Sequence, residues 1–107
     1  MKITHIRTEY LENPIGIDIV SPRINWNLED VKLQSAFEVE YDVNGEKFST
    51  GIRISSSMHY DFEREFKSRD RVRFRIKALC DDEWIQSEEA FFEMGLLEEK
   101  DWKAQWI

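Results

Sequence analysis

Hydrophobic and polar residues alternate with a period of two along much of this chain. In residues 71–78 every even position is apolar and every odd position is basic. This alternation is typical of a half-buried β-strand, because successive side chains of a strand point to opposite faces. Residues 37–43 show the same pattern with acidic residues between the apolar ones, and Asn44-Gly45 follows at once. An Asn-Gly pair favours a type I′ turn, so we predict a hairpin whose returning strand is 47–50.

Further short stretches complete the predicted set of strands. They are 3–9, 24–28, 52–55, 59–62 and 90–94. Residues 29–34 have no clear period and are predicted to form a loop. Pro14 and Pro22 enclose a short segment, which we predict to be an edge or crossing segment rather than a central strand, because proline has no backbone N–H to donate.

About seven short strands with no convincing helix predict an all-β fold. The pattern favours an antiparallel β-sandwich of the fibronectin type III-like or immunoglobulin-like kind, covering residues 1–95. In such a sandwich the third and sixth strands are antiparallel neighbours, and we assign them to 36–43 and 71–79. Their outward faces are acidic and basic, so the charges should pair across the strands and help to fix the register.

The composition fits one small domain. The chain has 107 residues, and its four Trp and seven Phe supply much of the area available for a core. Trp26 alternates with Ile24 and Leu28, so its ring is predicted to lie between the sheets. The net charge of −7 argues against nucleic acid or an anionic membrane surface as a partner, since phosphate binding needs a basic surface.

The cellular compartment is predicted from two features. The residues before Glu9 contain no apolar run like the ~7–15 residues of a secretory signal. Cys80 is the single cysteine of the sequence, which fits a reducing compartment. We therefore expect a cytoplasmic protein, if the first methionine is the natural start.

Candidate chemistry within the chain is sparse. His5 and His59 are the two histidines, and neither has a Cys or His neighbour of the kind that metal sites need. The acidic run 81–83 is predicted to be a solvated turn, and Cys80 a small buried side chain. We expect no catalytic residue, no metal site and no cofactor.

Two phrases, one near each end of the chain, carry a family resemblance. The first is YLENPIGID at 10–18, followed by SPRINW at 21–26; the second is FFEMGLL at 91–97, followed by DWKAQWI at 101–107. Together they resemble the N-terminal domain of bacterial α-L-rhamnosidases of glycoside hydrolase family 78. The motif residues of the first phrase are Glu12, Asn13, Pro14, Gly16, Pro22, Arg23 and Trp26. The sixth strand departs from the family pattern, with Val72 in place of a tyrosine and Phe74 in place of a tryptophan.

The resemblance implies that catalysis and support lie in different domains of the parent enzyme. The catalytic acids of this family lie in a later helical barrel domain, so this chain is expected to be a non-catalytic accessory domain of an enzyme that hydrolyses terminal α-L-rhamnose. Residues 96–107 would be a linker and the start of a junction, through which the chain packs on neighbouring domains. Residues expected to contact the next domain are Trp102, Trp106 and Ile107. Within the first phrase, Glu12 and Arg23 are expected to form an ion pair.

Two other functions stay open. One is a carbohydrate-binding module that holds rhamnosides on exposed aromatic rings, with Trp84 and Tyr60 as candidates for stacking. The other is a free-standing protein-interaction domain that uses its acidic surface.

Overall fold

A computed structural model describes residues 1–97, and these form two packed β-sheets. The strands are β1 (Lys2–Thr8), β2 (Ile15–Ile17), β3 (Arg23–Glu29), β4 (Gln34–Val43), β5 (Glu46–Ser49), β6 (His59–Asp61), β7 (Arg71–Cys80), β8 (Glu83–Gln86) and β9 (Ala90–Met94). One sheet has the order β1-β3-β6. The other has the order β2-β9-β7-β4-β5, with β8 also paired to β7. The all-β sandwich predicted from the alternation is confirmed.

The described residues form nine strands, against about seven predicted, and two features account for the difference. The proline-enclosed segment forms β2, a three-residue strand at the edge of the larger sheet, in line with the edge or crossing segment that its prolines predict. The last strand is interrupted at Ser87, whose hydroxyl accepts the hydrogen bond of the Ile76 N–H at 2.9 Å, so β8 and β9 pair with β7 separately. Residues 52–55 were predicted as a strand and are not one; Arg53 forms an isolated bridge with Phe37.

Two tight turns set the hairpins of the larger sheet. Asn44 and Gly45 have φ of 52° and 96°, as a type I′ turn requires. Asp81 and Asp82 have φ of 48° and 68° and connect β7 to β8 in the same way. The predicted turns at both positions are confirmed.

The pairing of β4 with β7 is confirmed, and it places opposite charges on one outward face. Asp42 lies opposite Arg73, and Glu40 lies opposite Arg75. The ion pair that forms is diagonal, since the Lys77 ammonium contacts the Glu40 carboxylate rather than Glu38 directly opposite.

The core lies between the sheets and is rich in aromatic rings. Trp26 is 1% exposed, and the indole Nε1 donates to Gln34 Oε1 at 3.0 Å. Phe74 occupies its core position at 2% exposure and packs against Phe92, with ring centroids 6.0 Å apart. Within residues 1–97 no helix has the length and apolar character to cross a membrane.

Candidate interdomain junction

The two family phrases meet in space at the edge of the larger sheet. β2 runs parallel to β9, and the Glu93 N–H donates to the Pro14 carbonyl at 3.1 Å. The Gly95 N–H donates to the Ile17 carbonyl at 2.8 Å. Asn13 completes the contact, because its Oδ1 accepts the Phe91 N–H at 3.0 Å. Asn13 and Phe91, 78 positions apart in sequence, are therefore joined by a hydrogen bond from backbone to side chain.

The backbone geometry at this edge explains why positions 16 and 95 are both glycine. Gly16 has φ of 85°, a left-handed conformation that favours glycine, and the register between β2 and β9 shifts at this point. The shift sends Ile15 and Ile17 to different faces, so Ile15 is 74% exposed and Ile17 is 8% exposed. A Cβ on Gly95 would lie 3.1 Å from the Gly16 carbonyl oxygen, a contact so tight that the backbone of Gly16 would have to shift.

Arg23 does not pair with Glu12, and that prediction is wrong. Its guanidinium binds both carboxylate oxygens of Asp61, with Nη2 3.2 Å from Oδ2. The reason is the strand pairing, because Arg23 of β3 lies directly opposite Asp61 of β6. The hydrogen bond from Arg23 is the main cause that lowers the pKa of the Asp61 carboxyl below its usual value. The Arg23 backbone N–H donates to Glu9 Oε1 at 2.8 Å. Glu9 is therefore a second acidic residue bound to Arg23, and the sequence did not indicate it.

The last described residues of the chain are hydrogen-bonded to the loop of residues 68–70. The Arg69 N–H donates to the Gly95 carbonyl at 3.1 Å, and the Met94 N–H donates to the Asp70 carbonyl at 2.8 Å. The Leu97 N–H donates to the Ser68 hydroxyl at 2.8 Å. This loop therefore holds the last described residues, 94–97, in place. The predicted contact residues Trp102, Trp106 and Ile107 lie outside the described residues.

The two predicted sugar-stacking residues differ in exposure. Trp84 is 47% exposed on β8, which makes its ring accessible. Tyr60 is 8% exposed and meets Phe37 and Phe62 edge to face, so it is not available for stacking. Burial is the largest of the effects that raise the pKa of its hydroxyl. In 59–62 the apolar Tyr60 and Phe62 alternate with His59 and Asp61, so the pattern itself could have indicated that Tyr60 faces the core.

Reactive groups do not converge in the part of the chain that the structure describes. Among residues 1–97 no three His, Cys, Asp or Glu side chains are placed to hold a metal ion. Cys80 is fully buried, and burial raises the pKa of its thiol, which disfavours the reactive thiolate. The Asp81 carboxylate accepts the N–H groups of Lys32 and Leu33, at 3.0 and 2.9 Å, so it closes a loop.

Comparison with known proteins identifies the relatives of this sandwich. The family model described as "Rha78A-like, N-terminal immunoglobulin domain" matches residues 3–98. An α-L-rhamnosidase of Alteromonas sp. (strain LOR) is 31% identical over 112 residues, which covers 89% of this chain and 12% of the relative. An α-L-rhamnosidase of Formosa agariphila is 30% identical and is matched over 94% of this chain and 12% of its own length.

A solved structure supports the fold. The α-L-rhamnosidase from Dictyoglumus thermophilum superposes with a TM-score of 0.83 at 24% identity, over 96% of this chain and 13% of that chain. The chain thus spans about an eighth of the length of the proteins it matches.

Proposed function

This chain belongs to the family of Rha78A-like N-terminal immunoglobulin domains, and we propose that it serves as a non-catalytic accessory domain of an α-L-rhamnosidase-like glycoside hydrolase. The parent enzyme would hydrolyse terminal α-L-rhamnose from rhamnosides. The observation that carries the proposal is the junction, where the first family phrase is hydrogen-bonded to the described part of the second, 91–97. A fixed position for the last described residues suits a domain whose role is to pack on its neighbours.

The state of the acidic residues supports a non-catalytic role. Glycoside hydrolysis uses two carboxyl groups that flank the scissile bond, about 5–10 Å apart. Asp61 binds Arg23, Asp81 binds the backbone of the loop before β4, and Asp42 accepts the Gly45 N–H at 2.8 Å. These three carboxylates therefore stabilise turns and strand pairs through hydrogen bonds within the domain.

The test compares three proteins: the complete polypeptide that contains this chain, a version that lacks residues 1–95, and the chain alone. We expect the complete polypeptide to hydrolyse an aryl α-L-rhamnoside and the isolated chain to show no turnover. The truncated version should unfold at a lower temperature than the complete polypeptide, because it loses the packing of this domain. Turnover by the isolated chain, or an unchanged unfolding temperature after truncation, would contradict the proposal.

Carbohydrate binding is the second candidate, and the exposed Trp84 ring favours it. Apolar sugar faces stack on accessible aromatic rings, and Trp84 projects from the outward side of the larger sheet beside Leu79. A titration of the chain with L-rhamnose, followed through the Trp84 indole N–H signal, tests this function. A saturable shift would support it, and a constant signal would remove it.

A further inference from the structure

An exposed apolar and basic surface lies on the outward face of the larger sheet. We call it the β2–β9 patch, and it consists of Ile15, Phe91, Arg71 and Arg73. Phe91 is 41% exposed although its neighbours Ala90 and Phe92 are buried in the core. Exposed apolar groups that are contiguous and bordered by polar residues mark interaction surfaces.

The strand register explains why these side chains share one face. Phe91 lies opposite Arg73, and Glu93 lies opposite Arg71, on the adjacent strands β9 and β7. Ile15 lies beside Glu93 on the other side of β9. The shift at Gly16 turns Ile15 outward, because a regular strand would place Ile15 and Ile17 on the same face. The patch therefore depends on the same glycine that forms the junction.

A surface cavity connects the patch with the end of β9. It has a volume of about 840 Å³, and its lining includes Phe91, Arg69, Arg71, Arg73, Asp42 and Glu93. Arg69 is the residue whose N–H donates to the Gly95 carbonyl, where the chain leaves β9. The described residues that follow β9 therefore begin beside one end of this cavity.

The chemistry of the patch fits a protein partner. Aromatic and arginine side chains are enriched at the centres of protein interfaces, where they supply apolar area and directed hydrogen bonds. The cavity carries three arginines against two carboxylates, and Arg71 already contacts Glu93 at 3.3 Å. The local charge is positive on a chain whose net charge is −7, so the complementary surface should be apolar with acidic groups at its border.

We infer that the β2–β9 patch is the docking surface for the domain that follows Leu97 in the complete polypeptide. This inference rests on the proposed function, because it requires that the chain continue into a larger enzyme. Two observations select this occupant: Gly95, which follows β9, is bonded to the cavity residue Arg69, and about seven-eighths of each matched relative lies outside the region that this chain covers.

Hydroxyl-radical footprinting with mass spectrometry tests the inference, because the oxidation rate of a side chain follows its exposure. The rates of Phe91 and Trp84 are measured in the 107-residue chain and in the complete polypeptide. Trp84 is the matched control, since it projects from the same sheet with 47% exposure and pairs with the opposite end of β7. We expect the oxidation of Phe91 to fall severalfold in the complete polypeptide, whereas that of Trp84 stays the same.

Several results would overturn the inference. They are an unchanged rate at Phe91, an equal fall at Trp84, and protection of Phe91 in the isolated chain by added L-rhamnose, which would assign the patch to a sugar.

A variant comparison separates this failure from failure of the proposed function. If removal of residues 1–95 destabilises the complete polypeptide while Phe91→Ser does not, the accessory role stands and the docking surface lies elsewhere. If neither change has an effect, the accessory role fails as well.

Discussion

Gly95 lies against the backbone of Gly16 so closely that the space beside its Cα is filled. The nearest backbone atoms would be 3.1 to 3.3 Å from an added Cβ, and backbone cannot move aside as a flexible side chain can. The same residue donates to the Ile17 carbonyl and accepts the Arg69 N–H. A single glycine therefore holds β2, β9 and the loop before β7 together.

Gly95→Ala should destabilise the sandwich by about 1–3 kcal/mol, because the added methyl group forces β2 away from β9. Chemical unfolding monitored by tryptophan fluorescence measures this change. Ser56→Ala, at an exposed position outside the strands, is the control and should have little effect. An alanine at position 95 that costs no more than this control would contradict the assigned contact.

Two aspartates should make the free energy of unfolding fall as the pH becomes acidic. Hydrogen bonds from Arg23 lower the pKa of Asp61, and hydrogen bonds from the backbone of Lys32 and Leu33 lower that of Asp81. A depressed folded-state pKa means that the stabilisation is present above the unfolded-state value of 3.8 and is lost as the pH falls through the folded-state value.

Unfolding in urea at about pH 6 and about pH 2.5 should therefore show a loss of stability on acidification. In an Asp61→Asn, Asp81→Asn double variant the loss should be smaller, because these two groups no longer bind a proton on unfolding. Asp18→Asn, at an exposed position, is the control and should keep the wild-type dependence. An identical loss in the double variant and the wild type would show that these hydrogen bonds do not set the pH response.

Among the elements, β4 begins with a side chain that joins three segments. Gln34 is 3% exposed, accepts from the Trp26 indole at 3.0 Å, and donates through Nε2 to the carbonyls of Ser55 and Ser57 at 3.1 and 2.8 Å. The sequence placed this residue in a loop, because the alternation becomes regular only after it. Its role shows how the irregular segment before β6 is attached to the core.

Gln34→Ala should lower the free energy of unfolding by about 1–3 kcal/mol, because it leaves the buried Trp26 N–H without its acceptor. Gln86→Ala, at an exposed position of β8, supplies the control and should have little effect. Equilibrium denaturation of both variants decides the point. Equal stability of the two would mean that water replaces the lost hydrogen bonds.

For the whole molecule, local pattern predicted most of the fold. Strict alternation identified β4 and β7, and the Asn44-Gly45 pair identified the hairpin. The pairing of β4 with β7 followed from the sandwich topology, and opposite charges on the two strands agreed with it. The enclosing prolines favoured an edge or crossing segment over a central strand, and the segment is an edge strand. These features succeed because side-chain direction in a strand is set by its immediate neighbours in sequence.

The remaining features depend on contacts between distant segments. Arg23 and Asp61 are 38 positions apart and meet only because β3 pairs with β6. Ile15 faces outward only because the register shifts at Gly16. The outward direction of Phe91 could have been read from the alternation in 90–94, but its proximity to Ile15 and Arg73 required the strand order.

Calorimetric unfolding of the complete polypeptide beside the isolated chain tests the central claim most directly. If this chain is an accessory domain that packs on its neighbours, the transition assigned to it should occur at a higher temperature in the complete polypeptide, because unfolding must then also disrupt the interface. Tryptophan fluorescence of the Trp26→Phe variant helps to assign the transition, since Trp26 lies in the core of this domain. The same unfolding temperature in both proteins would mean that the domain has no stabilising contact with its neighbours, and the account would be wrong.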